Sequence, residues 1–470
     1  MITVPKINNT TFFQTRRTDR RIPMIFDKNY ITSALLPRIR GLWLSSQDTF
    51  PNFLSPVSLE EKRNNEAWVT AAMERLQRHM KAFPSRSRIA VRLPFSRKQP
   101  EQAAYSQSPA PQLQKWTQEM ESLFHGLLFD EPILGICRAM SEDSLTAFQA
   151  SIKDFLRQVR SFAPEMKPED MGQALRNFMV YSIFREQNGL PQDCPSSIFG
   201  YSMLYPFTDN FLDDPKHTSE EKKHFNLLIH HKISGLPITP LSLHEEKTAQ
   251  LLADIFAVYP SPESVASYGE ASGKDIRQGL LLMLEAQEIS QKQADASLFL
   301  TERNIMDISI YKGGLSVLID RFFINLKMTE EDILFYFGFG FLLQLCDDLQ
   351  DIGEDKGNGS RTLLSSCRTP EETAARVNRL FSYTAGLFDL CPCRNPAFRD
   401  FLLQNCHELI LTSAAGSGSW FDEEYLKKLE EYLPVSLSFL SEQKEKLPTA
   451  FPSGNEERIL EMLDAFLIES

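Results

Sequence analysis

The sequence predicts an all-α protein, a single large helical bundle behind an N-terminal extension, and three observations carry that expectation. From about Gln112 onward, segments of helical length recur between short Pro, Gly and Ser breaks. Alternating β-branched runs are nearly absent there. Three helix starts are legible as capping boxes, in which a threonine hydroxyl and an acid three residues on reciprocally satisfy exposed backbone N–H groups: Thr218-Ser-Glu-Glu221, Thr329-Glu-Glu-Asp332 and Thr369-Pro-Glu-Glu372.

Taken in order, residues 1–111 form the extension. Only residues 59–83 of it have helical periodicity, the rest reads as irregular, and residues 94–111, rich in Pro, Ser and Gln, read as a linker. Its first 40 residues are basic, with Lys6, Arg16, Arg17, Arg20, Arg21, Lys28, Arg38 and Arg40 against Asp19 and Asp27. Residues 112–470 form the bundle, with amphipathic or buried helices expected over 141–162, 168–187, 242–258, 275–291 and 304–323. Residues 333–346 carry no charge and only Gln344 as a strongly polar side chain, so their helix is expected to be buried nearly all round.

The 470 residues, 42% hydrophobic and 11% aromatic, suffice for a large core. A net charge of −12 argues against a broad nucleic-acid footprint or a polybasic membrane anchor. Residues 1–24 have a basic, polar middle and no apolar stretch of signal-peptide type, so a cytoplasmic location is expected. The apolar run 333–346 is too short to span a bilayer, which leaves membrane contact peripheral. Seven cysteines, odd in number and scattered, build no disulfide framework and suit a reducing compartment.

Two acidic clusters carry the chemistry: Asp209-Asn-Phe-Leu-Asp213-Asp214 and Asp347-Asp348-Leu-Gln-Asp351-Ile-Gly-Glu354-Asp355. Asp209 and Asp213 are four residues apart, and Asp347, Asp351 and Asp355 repeat that interval, so each set lines one helix face. Pro215 follows the first cluster and Gly353 and Gly357 punctuate the second, which places the acids at the negative ends of their helices. Acids there cost stability unless compensated, and a hard divalent ion such as Mg²⁺ bridging carboxylates to substrate phosphates is the simplest compensation. Positive charge for a diphosphate is available from Lys312, in Tyr311-Lys-Gly-Gly-Leu315, whose glycines are expected to interrupt the helix near a ligand. Arg361 and Lys356, after the second cluster, and Arg176 and Arg185, before the first, are further candidates for diphosphate oxygens.

These residues carry a resemblance. Gly340-Phe-Leu-Leu-Gln344-Leu-Cys-Asp347-Asp348-Leu-Gln-Asp351 resembles the second aspartate-rich segment of trans-prenyl diphosphate synthases, and Gln344 to Glu354-Asp355 resembles the matching segment of squalene and phytoene synthases. Asp209-x-x-x-Asp213-Asp214 is similar to the squalene/phytoene form of the first motif, and Lys312-Gly-Gly-Leu315 is loosely similar to the K-T-G-x-L of elongating enzymes. All belong to the class I isoprenoid synthase superfamily, and the resemblance runs from about Gln112 to the C-terminus. It implies the isoprenoid synthase bundle and three Mg²⁺ ions, or Mn²⁺ in their place, held by Asp209, Asp213, Asp214, Asp347, Asp348, Asp351 and Asp355. With Asp209, Asp213, Asp347 and Asp351 as catalytic residues, the ions would draw the diphosphate off an allylic prenyl substrate. Gln344 is counted with the diphosphate-binding residues. Phe207, Phe211 and Phe339, with Phe335 and Tyr336, would face the resulting cation.

The expected fates are head-to-head coupling or cyclisation. The alternatives are chain elongation with isopentenyl diphosphate, for which no G-K-R counterpart is present, a non-catalytic helical subunit of the same fold, and a metal-dependent phosphohydrolase. The expected partner is a prenyl diphosphate, with peripheral membrane contact and a homodimer left open.

Overall fold

In the computed structural model, residues 25–84, 111–257, 271–324, 328–393, 395–450 and 456–467 are described, and among them the architecture is all helical, without a strand. The principal helices are α1 (Leu36–Ser45), α2 (Leu59–Lys81), α3 (Pro111–Phe129), α4 (Glu142–Phe162), α5 (Pro168–Gln187), α6 (Ser196–Asp213), α7 (Ser219–Ser234), α8 (Leu243–Ala257) and α9 (Ala271–Ser290). They continue with α10 (Glu302–Ile324), α11 (Glu330–Gln350), α12 (Ile352–Asn358), α13 (Pro370–Phe388), α14 (Pro396–Gly416), α15 (Glu423–Glu430), α16 (Leu437–Ala450) and α17 (Glu456–Leu467). Thr218 and Thr329 make reciprocal capping boxes with Glu221 and Asp332. Thr369 caps α13 through the Glu372 N–H, while the Glu372 carboxylate accepts from Arg368 instead.

Helices α10 and α11 form the centre. Their antiparallel course follows from paired contacts along both: Lys312 feels Asp347 and Asp348, Gly313 meets Gly340, and Arg321 lies over the Tyr336 ring at 5.3 Å. Helix α5 packs on α10 and α6 on α5, α9 lies along α10, and α13 and α14 cover α11. Both central helices are buried over most of their length, as helices surrounded by others are.

The described part of the extension packs onto the bundle. Phe26, Ile31, Leu35, Ile39 and Trp43 are fully buried in the main core, and the Trp43 ring stands 5.6 Å from Phe341 and 5.8 Å from Tyr383. Its basic side chains pair with the acidic faces of the bundle: Lys28 with Glu285, Arg38 with Glu330 and Arg40 with Asp307, each at 2.5 Å. Helix α2 joins α3 and α17 around a second apolar cluster of Phe83, Leu113, Trp116, Met462 and Phe466. Residues 1–24 and 85–110, which hold most of the basic segment and of the expected linker, lie outside the described residues.

The last helix is fastened by a buried ion pair. Arg160 on α4 donates to both oxygens of Asp464 at 2.7 and 3.1 Å, with both side chains 3% exposed, and gives a third bond to the Pro164 carbonyl. Removing one partner leaves a buried charge alone, so Asp464→Ala is expected to cost about 3–5 kcal/mol in urea unfolding, whereas replacing both partners by apolar residues costs far less. A Gly340→Ala variant, which adds a methyl where backbones touch, is expected to lose about 1–3 kcal/mol or more in the same measurement.

Candidate functional site

The site begins at the crossing of α10 and α11. A Cβ on Gly340 would run into the Gly313 carbonyl, and one on Gly313 into the Gly340 carbonyl, so the two backbones are in direct contact. The expectation that Gly313 and Gly314 interrupt a helix is corrected: α10 runs unbroken through both, because a close helix crossing needs their missing side chains. The crossing sets Lys312 beside the second acidic cluster, where its charge opposes the upward pull of burial on Asp347 and Asp348.

Helix α11 ends at Gln350, and the acids continue through the joint. Asp351 N–H donates to the Asp347 carbonyl at 3.0 Å and Asp355 N–H to the Asp351 carbonyl at 2.8 Å, which keeps the three backbones one turn apart. Gly353 and Gly357 do not stop this segment, since both lie inside α12; the stop is Gly359, at φ +71°, in the left-handed region that favours glycine.

The first cluster lies at the end of α6, with Asp209 half-buried and Asp213 as the last helical residue. Asp214 is used otherwise: its Oδ1 accepts from the Lys216 N–H at 2.8 Å, and that bond holds its carboxyl below the usual range. Tyr205, one turn before Asp209, joins the two clusters. Burial raises its hydroxyl, Asp209 raises it further through a hydrogen bond and by charge, Asp347 adds to this, and Arg176 opposes it. Arg176 also opposes the upward shifts of Asp347 and Asp351. Thus Asp209, Asp347, Asp351, Arg176 and Lys312 share one electrostatic neighbourhood. Sequence reasoning missed Tyr205, although its position four residues before Asp209 puts it on the same face.

Exposure along the two central helices is confined to a few positions near the acids and Lys312. Between residues 305 and 324 of α10, only Asp307, Lys312, Ser316 and Phe323 escape full burial, and between 333 and 349 of α11 only Leu343, Gln344 and Asp347 do. Asp347 is water-exposed, yet surrounding protein is the largest cause of its raised carboxyl, as expected for a group lining a wet cleft. Asp348, 5% exposed, is pushed up to about 8 by burial, although Gln344 Nε2 donates to its Oδ1 at 2.9 Å. Its Oδ2 is buried without a partner among the described residues. Burial raises Asp355 to about 6 against the Thr362 hydroxyl bond of 3.2 Å, with Asp351, Asp347 and Glu354 adding to it; Asp351 is raised by burial, then by Asp347 and Glu354.

Carboxylates that repel one another at helix ends, with one buried oxygen orphaned, are a donor set that fits a hard cation such as Mg²⁺ or Mn²⁺. Among the described residues no three His, Cys, Asp or Glu groups converge closely enough to enclose an ion alone, and the Asp213 side chain is not among those described. Mg²⁺ usually keeps several waters and takes one or two carboxylates plus substrate phosphates, so a loose set suits it.

Three expected diphosphate residues are placed elsewhere. Arg361 directs its guanidinium to the carbonyls of Gln293, Leu298, Lys292 and Asp295, clamping the turn after α9. Lys356 donates to the Cys367 carbonyl at 2.8 Å and sits 4.3 Å from the Trp420 ring centroid. Arg185 binds the Pro191 carbonyl and pairs with Asp193 at 3.0 Å. The expected aromatic wall is also corrected. Phe207 lies about 200° around α6 from Asp209 at 100° per residue, and it and Phe211 stack on His244 at 5.0 and 4.9 Å. Phe339 packs against Phe184 and Phe335 in the core, where Phe335 and Tyr336 are wholly buried.

Comparison of the chain with protein-family models, with curated proteins and with solved structures finds no match.

A carboxyl whose folded value is raised contributes stability that is complete below its unfolded value, near 4, and lost as pH rises through the folded value. For Asp355 and Asp348 that window runs from about 4 to 6 and about 4 to 8. The protein without divalent ions is therefore expected to melt at progressively lower temperature from pH 5 to pH 8, and Asp348→Asn to flatten that slope, as read by thermal unfolding across the range.

Proposed function

We propose that this chain ionises an allylic prenyl diphosphate and releases pyrophosphate, the prenyl cation then being coupled head to head or cyclised. The reading rests above all on the meeting of Asp209 and Tyr205 from α6, Arg176 from α5, Lys312 from α10 and Asp347 and Asp351 from the end of α11 in one electrostatic neighbourhood. An anionic leaving group with hard divalent ions fits a neighbourhood of mixed acids and bases in this way.

Asp209, Asp347 and Asp351 would hold Mg²⁺, with Asp355 and Asp213 beside them. Bound Mg²⁺ would neutralise charge developing on the departing diphosphate. Lys312 and Arg176 would bind diphosphate oxygens directly and keep the leaving group turned toward the acids. Gln344 fixes the Asp348 carboxyl through its 2.9 Å bond and so holds the shape of the wall behind Asp347.

A second reading, chain elongation, is favoured by Lys312 standing beside Asp347-Asp348-x-x-Asp351, and requirement for isopentenyl diphosphate separates the two. The test is Mg²⁺-dependent pyrophosphate release from geranyl, farnesyl and geranylgeranyl diphosphates, each offered alone. Asp209→Ala and Asp347→Ala are expected to lower kcat by about 10²–10³-fold or more, and Arg176→Ala to raise KM. Arg361→Ala is expected to leave kcat/KM within about threefold while lowering the melting temperature, because it loses its bonds to the carbonyls of Gln293, Leu298, Lys292 and Asp295 and no substrate contact. Full activity in Asp347→Ala would sink the reading.

A further inference from the structure

The end of the bundle that carries the acids also carries apolar side chains turned to water. Helix α8 starts beside the end of α6: His244 Nε2 donates to the Phe207 carbonyl at 2.8 Å, while a Cβ on Gly200 would meet the Leu251 carbonyl, so the two helices run antiparallel. Leu241, just before α8, is 74% exposed, and Leu243, its first residue, 66%. Helix α10 runs antiparallel to α11, so its start lies at the end of α11, and there Leu298 is exposed and Phe299 is 90% exposed. One apolar tip thus stands at the helix end that carries each acidic cluster.

Both tips are fastened. Leu241 N–H donates to Glu245 Oε2 at 2.6 Å, and the buried Glu245 is bonded through its other oxygen to His224 Nδ1 at 2.9 Å. Arg361 binds the Leu298 carbonyl at 2.7 Å and the Asp295 carbonyl at 2.6 Å, and beyond Phe299 the Thr301 hydroxyl donates to Asn304 Oδ1 at 2.6 Å. A lone exposed leucine is ordinary, since much of any protein surface is apolar. Side chains held outward by a buried glutamate and a carbonyl-bonded arginine are different, because the same bonds keep them from folding back onto the core.

The charges around the tips select the partner. Near the first tip Lys216 and Lys223 are exposed with Glu220 and Glu246, and near the second Lys292 and Arg303 are exposed with Asp295 and Glu302. The signs balance, so neither a nucleic acid nor a strongly anionic membrane is favoured. Phosphatidylcholine headgroups, with phosphate and ammonium side by side, complement a rim of both signs, and the leucines and Phe299 match the acyl layer beneath them.

We propose that this end of the protein docks on a zwitterionic lipid surface, with Leu241 and Leu243 entering beside the first acidic cluster and Leu298 and Phe299 beside the second. The substrate this implies, a prenyl diphosphate dissolved in that membrane, rests on the ionisation reading. Its diphosphate lies at headgroup level, where the acids meet it, and its chain is drawn from lipid instead of from water.

Sedimentation of the full chain with phosphatidylcholine vesicles tests the face without turnover. The wild type is expected to pellet with the vesicles, and its bound fraction to change less than about twofold when salt rises from about 0.1 to about 0.5 M, since screening weakens only attraction between charges. Phe299→Glu and the double variant Leu241→Glu, Leu243→Glu are each expected to lower the partition coefficient about tenfold, because each puts charge into the acyl boundary. Both leave pyrophosphate release from dissolved geranyl diphosphate unchanged, because the altered side chains are exposed and the tips are held through backbone atoms. Wild-type protein that stays in the supernatant, or variants that pellet as well as the wild type, would overturn the docking face. Binding that appears only with added phosphatidylserine and vanishes with salt would overturn it too. A wild-type dimer in solution that both variants split, without vesicle binding, would overturn it in favour of a second copy of this chain. Vesicle binding without pyrophosphate release from any prenyl diphosphate would leave the face standing and overturn the ionisation reading, and with it the substrate.

Discussion

The contact between Gly313 and Gly340 is the constraint on which the rest of the structure depends. No side chain fits between the two backbones, so α10 and α11 approach as closely as helices can and cannot slide without collision. That lock fixes the register in which Lys312 meets Asp347 and Asp348 and in which Arg321 covers Tyr336. The surrounding helices then bury this pair, and the extension contributes Phe26 and Trp43 to the same core.

Against that rigid centre, the acids are a liability that the fold tolerates. Asp348 is pushed up to about 8 by burial, with one oxygen unpaired among the described residues, and Asp347, Asp351 and Asp355 are all raised. Much of that conflict sits at one end of two helices, while several other buried or half-buried charges are paired: Arg160 with Asp464, Arg40 with Asp307 and Lys153 with Glu121. Proteins concentrate such conflict where they bind ligands.

Much of the fold was legible because helix starts are local. The threonines at 218 and 329 cap as their spacing demands, and the uncharged run before Asp347 is buried except at Leu343 and Gln344. What the sequence hid is long-range. Glycines at 313 and 314 read alike whether they break a helix or admit a neighbouring one, and only the position of Gly340 decides. Arg361 and Lys356 follow the acids closely in sequence, yet Arg361 is taken up by carbonyls at the end of a helix some 70 residues away, at Lys292 and Gln293. Phe207 and Phe211 share a helix with Asp209 but lie on its far side.

The claim at the centre of this account is that α6 and the α11–α12 joint share one metal–diphosphate site. Thermal unfolding with Mg²⁺ alone, inorganic pyrophosphate alone and both together tests it without reliance on turnover. Each alone is expected to shift the melting temperature little, and the two together to raise it markedly, because a ligand that binds only the folded state at about 100 times its Kd adds about 2.7 kcal/mol. Asp209→Asn and Asp347→Asn should each abolish that joint shift. A joint shift that survives in either variant, or no joint shift in the wild type, would contradict the shared site.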